Sequence, residues 1–204
     1  VVALGGGSAL GAVAQHDLDL VECVEIVPDV VEAARQEYGS FNHDVLDRLD
    51  ELPVRVIVDD GRNYLLTTER KYDVITGDAT HPTSTDSWVL YTRDFYELCL
   101  AHLNDDGIFV QWLPFHGMHV DDFRTVLRTF HAAFPHATLW RTNNYAIMVG
   151  TRQPLNVDLA SLEGKFDRLR VRESLQEVDL GTPIDVLSCF LFDEAAFAAY
   201  VGEG

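Results

Sequence analysis

An α/β fold is predicted: a mostly parallel seven-stranded sheet, with helices between the strands and an antiparallel hairpin at its end. Three observations predict it. Short apolar runs alternate with helical stripes over the first ~150 residues, in the manner of βαβ units. The first run ends in Gly5-Gly6-Gly7, and a glycine turn between strand and helix lets the backbone approach a ligand closely. The last two runs, Ala137–Trp140 and Tyr145–Val149, flank Thr142-Asn143-Asn144, which reads as a hairpin turn.

Taken in order, Val1–Leu4 reads as the first strand, Gly5–Val13 as the turn opening a helix, and Leu20–Ile26 as the second strand. Pro28 sits where a proline can begin a helix, and Val30, Val31, Ala34 and Tyr38 fall on one stripe of it. Val54–Val58 and Tyr72–Thr76 are the third and fourth strands. A helix over Tyr91–Leu103 buries Phe95, Leu98, Cys99 and Leu103, and Asn104–Gly107 turns the chain into Ile108–Leu113. Asp121–Phe134 reads as a helix ending before Pro135. Five crossover strands and a closing hairpin form the Rossmann-like strand plan of class I methyltransferases, whereas a dinucleotide-binding domain more often continues with βαβ units. From about Arg152 the pattern turns helical and charged, with Thr182 as an N-cap and Pro183 in the first turn. A ligand-binding α/β domain is therefore expected over residues 1–150, and a small C-terminal helical appendage without a site of its own over 151–204.

The charge is strongly acidic, with 33 Asp plus Glu against 15 Lys plus Arg and a formal net charge of −18. Such a surface repels phosphate backbones and anionic lipid, so nucleic-acid and membrane-surface partners are not expected. It suits a cationic substrate, and it equally suits plain solubility or adaptation to salt, since lysine is confined to Lys71 and Lys165. No apolar run approaches the ~20 residues needed to span a bilayer. No basic segment precedes an apolar stretch at the N-terminus, so no signal peptide is expected. A chain rarely opens directly on a buried strand, so an upstream part is expected, and a larger membrane-attached protein is one way to supply it. Cys23, Cys99 and Cys189 are odd in number and lack C-x-x-C spacing, which favours reduced thiols in the cytoplasm. A homodimer is compatible with these features, which do not set the oligomeric state.

Four strand ends carry glycine or carboxylate. Gly5 and Gly7 could begin a G-x-G-x-x-G fingerprint, but its third position is Leu10 and the next glycine is Gly11, which speaks against a pyrophosphate cradle. Glu25 ends the second strand about twenty residues after the glycine turn, where a carboxylate can accept both hydrogen bonds of a ribose diol. After the third strand comes Asp59-Asp60-Gly61: one acid can accept from an adenine amino group while Gly61 leaves room for the ring, or Asp59 only caps the next helix. After the fourth comes Asp78, in Gly77-Asp78-Ala79-Thr80-His81-Pro82. Adjacent strand ends of this kind form the crevice in which open α/β sheets bind ligands. Trp88 belongs to a loop expected over that ligand, and Tyr91 begins the helix behind it. His116, His119, Asp121 and Asp122 lie close in sequence but read as loop and helix-cap residues, so no metal is expected.

The run Leu4-Gly5-Gly6-Gly7, Val24-Glu25-Ile26, Asp60-Gly61, Tyr72-Asp73-Val74-Ile75 with Asp78, Leu90-Tyr91-Thr92-Arg93-Asp94-Phe95-Tyr96 and Gln111-Trp112-Leu113 resembles the spermidine/spermine synthase family, in order over residues 1 to about 150. The likeness is to its divergent branch, whose members are often fused to membrane segments. It implies that Glu25 holds a ribose, that Asp60 lies on the adenine side, and that Asp78 is the catalytic aspartate. The co-substrate so implied is decarboxylated S-adenosylmethionine, and the acceptor a cationic polyamine.

Three positions depart from the family pattern: Ser8, His81 and Val27 stand where acids are usual. Two of those acids grip the cationic arm, through charge-assisted bonds worth about 1.5–3 kcal/mol each. His81 is then either a substrate-side hydrogen-bonding residue or a base for another transfer. Three functions stay open: an aminopropyltransferase, an S-adenosylmethionine-dependent methyltransferase, which Ser8 and His81 favour, and a non-catalytic nucleoside-binding module of a larger protein.

Overall fold

Among the residues described by the computed structural model, 1–77, 81–85, 87–142 and 144–202, strands and helices follow one another in this order. Ser8–Ala14 (α1), Val21–Glu25 (β1), Pro28–Glu37 (α2), Gly39–Asn42 (α3) and Val54–Val58 (β2) come first. Gly61–Thr67 (α4), Tyr72–Gly77 (β3), Arg93–His102 (α5), Leu103–Pro114 (β4), Val120–Ala133 (α6), His136–Arg141 (β5) and Tyr145–Thr151 (β6) follow. Leu159–Phe166 (α7), Leu169–Gln176 (α8), Pro183–Ser188 (α9), Phe190–Phe192 (β7) and Glu194–Val201 (α10) complete the chain. Two compact units result: Val1–Asp60 with Asn156–Cys189, and Gly61–Leu155 with Phe190–Gly204.

In the first unit β1 and β2 pair in parallel, Val21 opposite Val54 and Glu25 opposite Val58. Leu4, Leu10, Cys23, Ala34, Val45 and Val54 form the core beneath them. Gly11 is dictated by close approach: a Cβ there would lie 2.2 Å from the backbone oxygen of Asn42, so only glycine lets α1 rest on α3. Asn42 is 1% exposed, and its amide donates to the carbonyls of Gly6 (3.1 Å) and Ala34 (3.0 Å). It thereby ties the glycine turn to α2. His43 and Asp44 then reverse the chain with φ of 56° and 53°, a left-handed pair costing on the order of 1 kcal/mol each.

The second unit holds a five-stranded sheet in the order β3-β4-β6-β5-β7. The β3–β4 pair is parallel, and β4–β6, β5–β6 and β5–β7 are antiparallel. Its core is aromatic: Phe109 stacks on Phe134 at 5.4 Å between centroids, and Tyr96 meets Phe130 edge-on at 5.1 Å. Burying each such ring contributes about 1.5–3 kcal/mol. Burial pushes the Tyr96 phenol and the Cys99 thiol well above their ordinary values, with Tyr91 adding to the shift at Tyr96.

Among the described residues seven strands are present, yet the sheets are mixed and their membership differs from expectation. Val1–Leu4 is not a strand; it contributes a single parallel bridge, Val2 to Val24. Ala3 has φ of 67°, which breaks the extended backbone after one step. The seventh strand is instead Phe190–Phe192, in the tail expected to be helical, where Phe190 meets Trp140 edge-on at 5.0 Å. The turn expected at Asn104–Gly107 is part of β4, with a register shift against β3 after Tyr72. Thr182 caps α9 as expected, closing a capping box with Asp185. Asp121 and Asp122 lie in the first turn of α6, and the cap position is His119.

Replacing Asn42 by alanine removes its hydrogen bonds to the Gly6 and Ala34 carbonyls, the second of which keeps only the Tyr38 N–H at 3.3 Å. Asn42→Ala is therefore expected to lower the unfolding free energy by about 1–3 kcal/mol, read as a lower urea midpoint. An unchanged midpoint would deny Asn42 this bracing role.

Candidate functional site

The glycine turn of the first unit is a tight reversal in which the Gly7 N–H donates to the Leu4 carbonyl at 2.9 Å. Gly7, with φ of 83°, occupies the cap position of α1 without a side chain, and Gly5 shares the left-handed region at φ of 54°. A Cβ on Gly7 would also press on the Asn42 amide at 3.1 Å, and one on Gly6 would meet the Tyr38 ring at 3.2 Å. The turn is thus fixed by packing from beneath, while around Gly5 no atom lies within 4 Å of an added Cβ. Ser8 is the first residue of α1 and is exposed.

Glu25 closes β1 and is 6% exposed. Its Oε2 accepts the Leu4 N–H at 2.8 Å and its Oε1 accepts the Val27 N–H at 3.0 Å. A buried carboxylate needs such partners, and these two fix its plane between the glycine turn and the start of α2. Each oxygen still has acceptor capacity, because a carboxylate offers about four lone-pair sites and the protein occupies two. The Asp59 N–H donates to the Glu25 carbonyl at 3.1 Å, placing the Asp59-Asp60 pair beside the same strand end. The Asp59 carboxylate accepts the Asp60 N–H at 2.7 Å, and Asp60 is half-buried. The structure therefore brings together the glycine turn, Glu25 and Asp60 within one unit.

Gly61 opens α4 in the second unit. Asp78 lies outside the described residues, as do Ala79 and Thr80; the chain is described up to Gly77 and again from His81. Both ring nitrogens of His81 are engaged. Nδ1 accepts from the Thr83 N–H at 3.3 Å, so Nε2 carries the proton and donates to the His116 carbonyl at 2.8 Å. The Thr83 hydroxyl also meets Nδ1, at 2.7 Å. In this arrangement His81 positions its loop, and it serves as a base only if Thr83 lets go. Trp88 begins a 3-10 turn over Trp88–Tyr91 and is 56% exposed. Tyr91 is buried instead, with its hydroxyl donating to the Trp112 carbonyl at 3.4 Å.

Two residues escaped the sequence reading of the site. Asn42 braces the glycine turn from 36 positions away, a separation at which no local pattern reports it. Gln111 left a signal that went unused. It sits between Phe109 and Leu113 on the inward face of β4, where a polar residue breaks the pattern. Fully buried opposite Gly77, it donates to the Leu90 carbonyl at 3.1 Å and so holds the turn that carries Trp88 and Tyr91. Among the described residues no group of three or more His, Cys, Asp or Glu could hold a metal ion, and no helix is long and apolar enough to cross a membrane.

The sequence and the fold have known counterparts. A polyamine aminopropyltransferase of Serratia proteamaculans (strain 568) is 35% identical over 111 residues, covering 54% of this chain and 37% of that protein. A solved spermidine synthase in complex with the transition state analogue AdoDATO matches with a TM-score of 0.70 at 21% identity, covering 79% of this chain and 58% of that one. Human methyltransferase-like protein 13 in complex with SAH matches at 0.62 and 22% identity, covering 86% and 80% respectively. The two structural matches establish the Rossmann-like fold. The chain spans little more than a third of the length of the Serratia enzyme. Residues 1–146 match the spermine/spermidine synthase domain, which takes in the glycine turn, Glu25, Asp60, Asp78 and Gln111, and the chain belongs to that family.

Proposed function

We propose that this chain is the nucleoside-binding and catalytic part of an aminopropyltransferase, one that moves the aminopropyl group of decarboxylated S-adenosylmethionine onto a polyamine. The observation that carries the proposal is Glu25: a carboxylate buried at a strand end, held in plane by two backbone donors, with acceptor capacity left on both oxygens. A ribose diol presents the two donors that such a group lacks. Asp60 receives the adenine amino group, Gly61 leaves room for the ring, and Gly5–Gly7 let the nucleoside approach the backbone. The chemistry belongs to residues 1–150, and residues 151–204 carry none of it. The strongly acidic charge, −18 overall, suits a cationic acceptor, and three cysteines without C-x-x-C spacing suit a cytoplasmic setting.

In the reaction the lone pair of an acceptor amine forms a bond to the carbon beside the sulfonium. The carbon–sulfur bond breaks, its electron pair stays on sulfur, and methylthioadenosine leaves. The ammonium proton passes to Asp78, which also aligns the amine. Since the sulfonium is already a good leaving group, alignment and the local carboxylate field supply the rate enhancement. Trp88 is the substrate-side residue, and His81 and Tyr91 act through the loop and turn they hold.

A second reading, methyl transfer from S-adenosylmethionine, is favoured by Ser8 and His81. Neither supplies the negative charge that grips a cationic arm, and Ser8 would tolerate the carboxylate that an aspartate repels. Calorimetric titration with the two sulfonium compounds separates the readings, because they differ only in that carboxylate. Preference for the decarboxylated form by tenfold or more is expected, with Asp78→Asn sparing binding and abolishing turnover on polyamines. Preference for S-adenosylmethionine would give the site to methyl transfer, and binding of neither would leave a non-catalytic module.

A further inference from the structure

A second cavity lies within the second unit. It encloses about 320 Å³ and is walled by Phe115, Met118, Phe123, Leu139 and Phe192. That volume is at the small end of the range for ligand sites. Aromatic pairs build its sides: Phe115 against Phe123 at 5.7 Å and Phe192 against Tyr200 at 5.2 Å. Its apolar lining is not sealed, since Phe115 is 39% and Leu191 42% exposed.

Besides Tyr200, the polar side chains that line this cavity are the basic ones Arg141 and His119, and no carboxylate does so. In a chain with 33 acids and 15 bases, that local balance runs against the whole. Among the described residues the Arg141 guanidinium has no ion-pair or hydrogen-bond partner. Over the ring of Tyr200, which lines the cavity, lies Arg124 at 5.2 Å, and it meets Asp121 at 3.6 Å. An apolar chamber with an unpaired guanidinium at its wall has the make-up of a site for an apolar molecule with an anionic head. Acids farther than ~8 Å are screened at physiological salt, and Asp121, next to the cavity-lining Val120, faces Arg124.

We propose that this cavity binds a small amphipathic carboxylate, its hydrocarbon part among Phe115, Phe123 and Leu139 and its carboxylate on Arg141. Isothermal titration of the full 204-residue chain with octanoate, octanol and octylamine at 0.15 M salt tests it. Octanoate is expected to bind at least tenfold more tightly than octanol, with octylamine weakest. Arg141→Gln should reduce octanoate to the level of octanol while leaving octanol unchanged, and Arg141→Lys should keep the preference. Equal binding of octanoate and octanol, or a preference that survives Arg141→Gln, would overturn the proposal, as would the absence of saturable octanoate binding. Sedimentation velocity adds one further outcome: a dimer that octanoate dissociates would assign the cavity to a second copy of the chain and overturn it equally.

Discussion

Burying a carboxylate at the end of a strand is costly unless its oxygens find donors, and the first unit is arranged around meeting that demand at Glu25. The Val1–Leu4 segment begins as a neighbour of β1, with the Ala3 N–H donating to the Val24 carbonyl at 2.9 Å. Ala3 then turns into the left-handed region, which ends strand pairing and delivers the Leu4 N–H to Glu25. The Val27 N–H supplies the second bond as α2 begins. The glycine turn follows from the same geometry, since it must reverse immediately after Leu4, and Gly7 with its φ of 83° makes that possible. Strain at Ala3, of order 1–3 kcal/mol, is thus offset where it arises, by a charge-assisted hydrogen bond.

Much of this is legible in the sequence. Turn residues and apolar runs mark β1, β2, β3 and β6 because strands buried in an α/β sheet read as short hydrophobic segments between breakers. The proline at the start of α2 and the Thr182 cap are equally readable, because they act through neighbours in the chain. What is not legible depends on long-range contact. Nothing in Val1–Leu4 distinguishes a strand from a segment bent at Ala3, since alanine gives no hint of a positive φ. Phe190–Phe192 resembles any apolar patch until Leu139 and Trp140 pair with it. The candidate site divides along the same line: Glu25 and the glycines announce themselves by spacing, whereas Asn42 acts through contacts that only folding creates.

On the proposed reading, the family's nucleoside-binding features are kept here while its grip on the cationic arm is thinned. Glu25 and the glycine turn are held by backbone hydrogen bonds and packing, so their geometry is independent of the side chains at Ser8 and Val27. His81 is bound on both ring nitrogens by Thr83 and His116, which makes it a part of the loop's framework. Gln111 performs the matching task beneath β3, tying Leu90 into place. Under the proposed function, binding of the nucleoside and choice of the transferred group are therefore separable, and the second is where this chain's own residues differ.

Altering the ligand tests the assignment of Glu25 more cleanly than altering the residue. A glutamine there would aim an amide NH2 at one of the two backbone N–H groups and so disturb the fold along with the site. The direct measurement is calorimetric titration of the unmodified chain with methylthioadenosine and with its 2′-deoxy counterpart. Loss of one hydrogen bond to a buried carboxylate, worth about 1.5–3 kcal/mol, predicts that the deoxy compound binds roughly 10- to 150-fold more weakly. Equal affinity for the two would mean that Glu25 does not hold a ribose, and would contradict the account at its base.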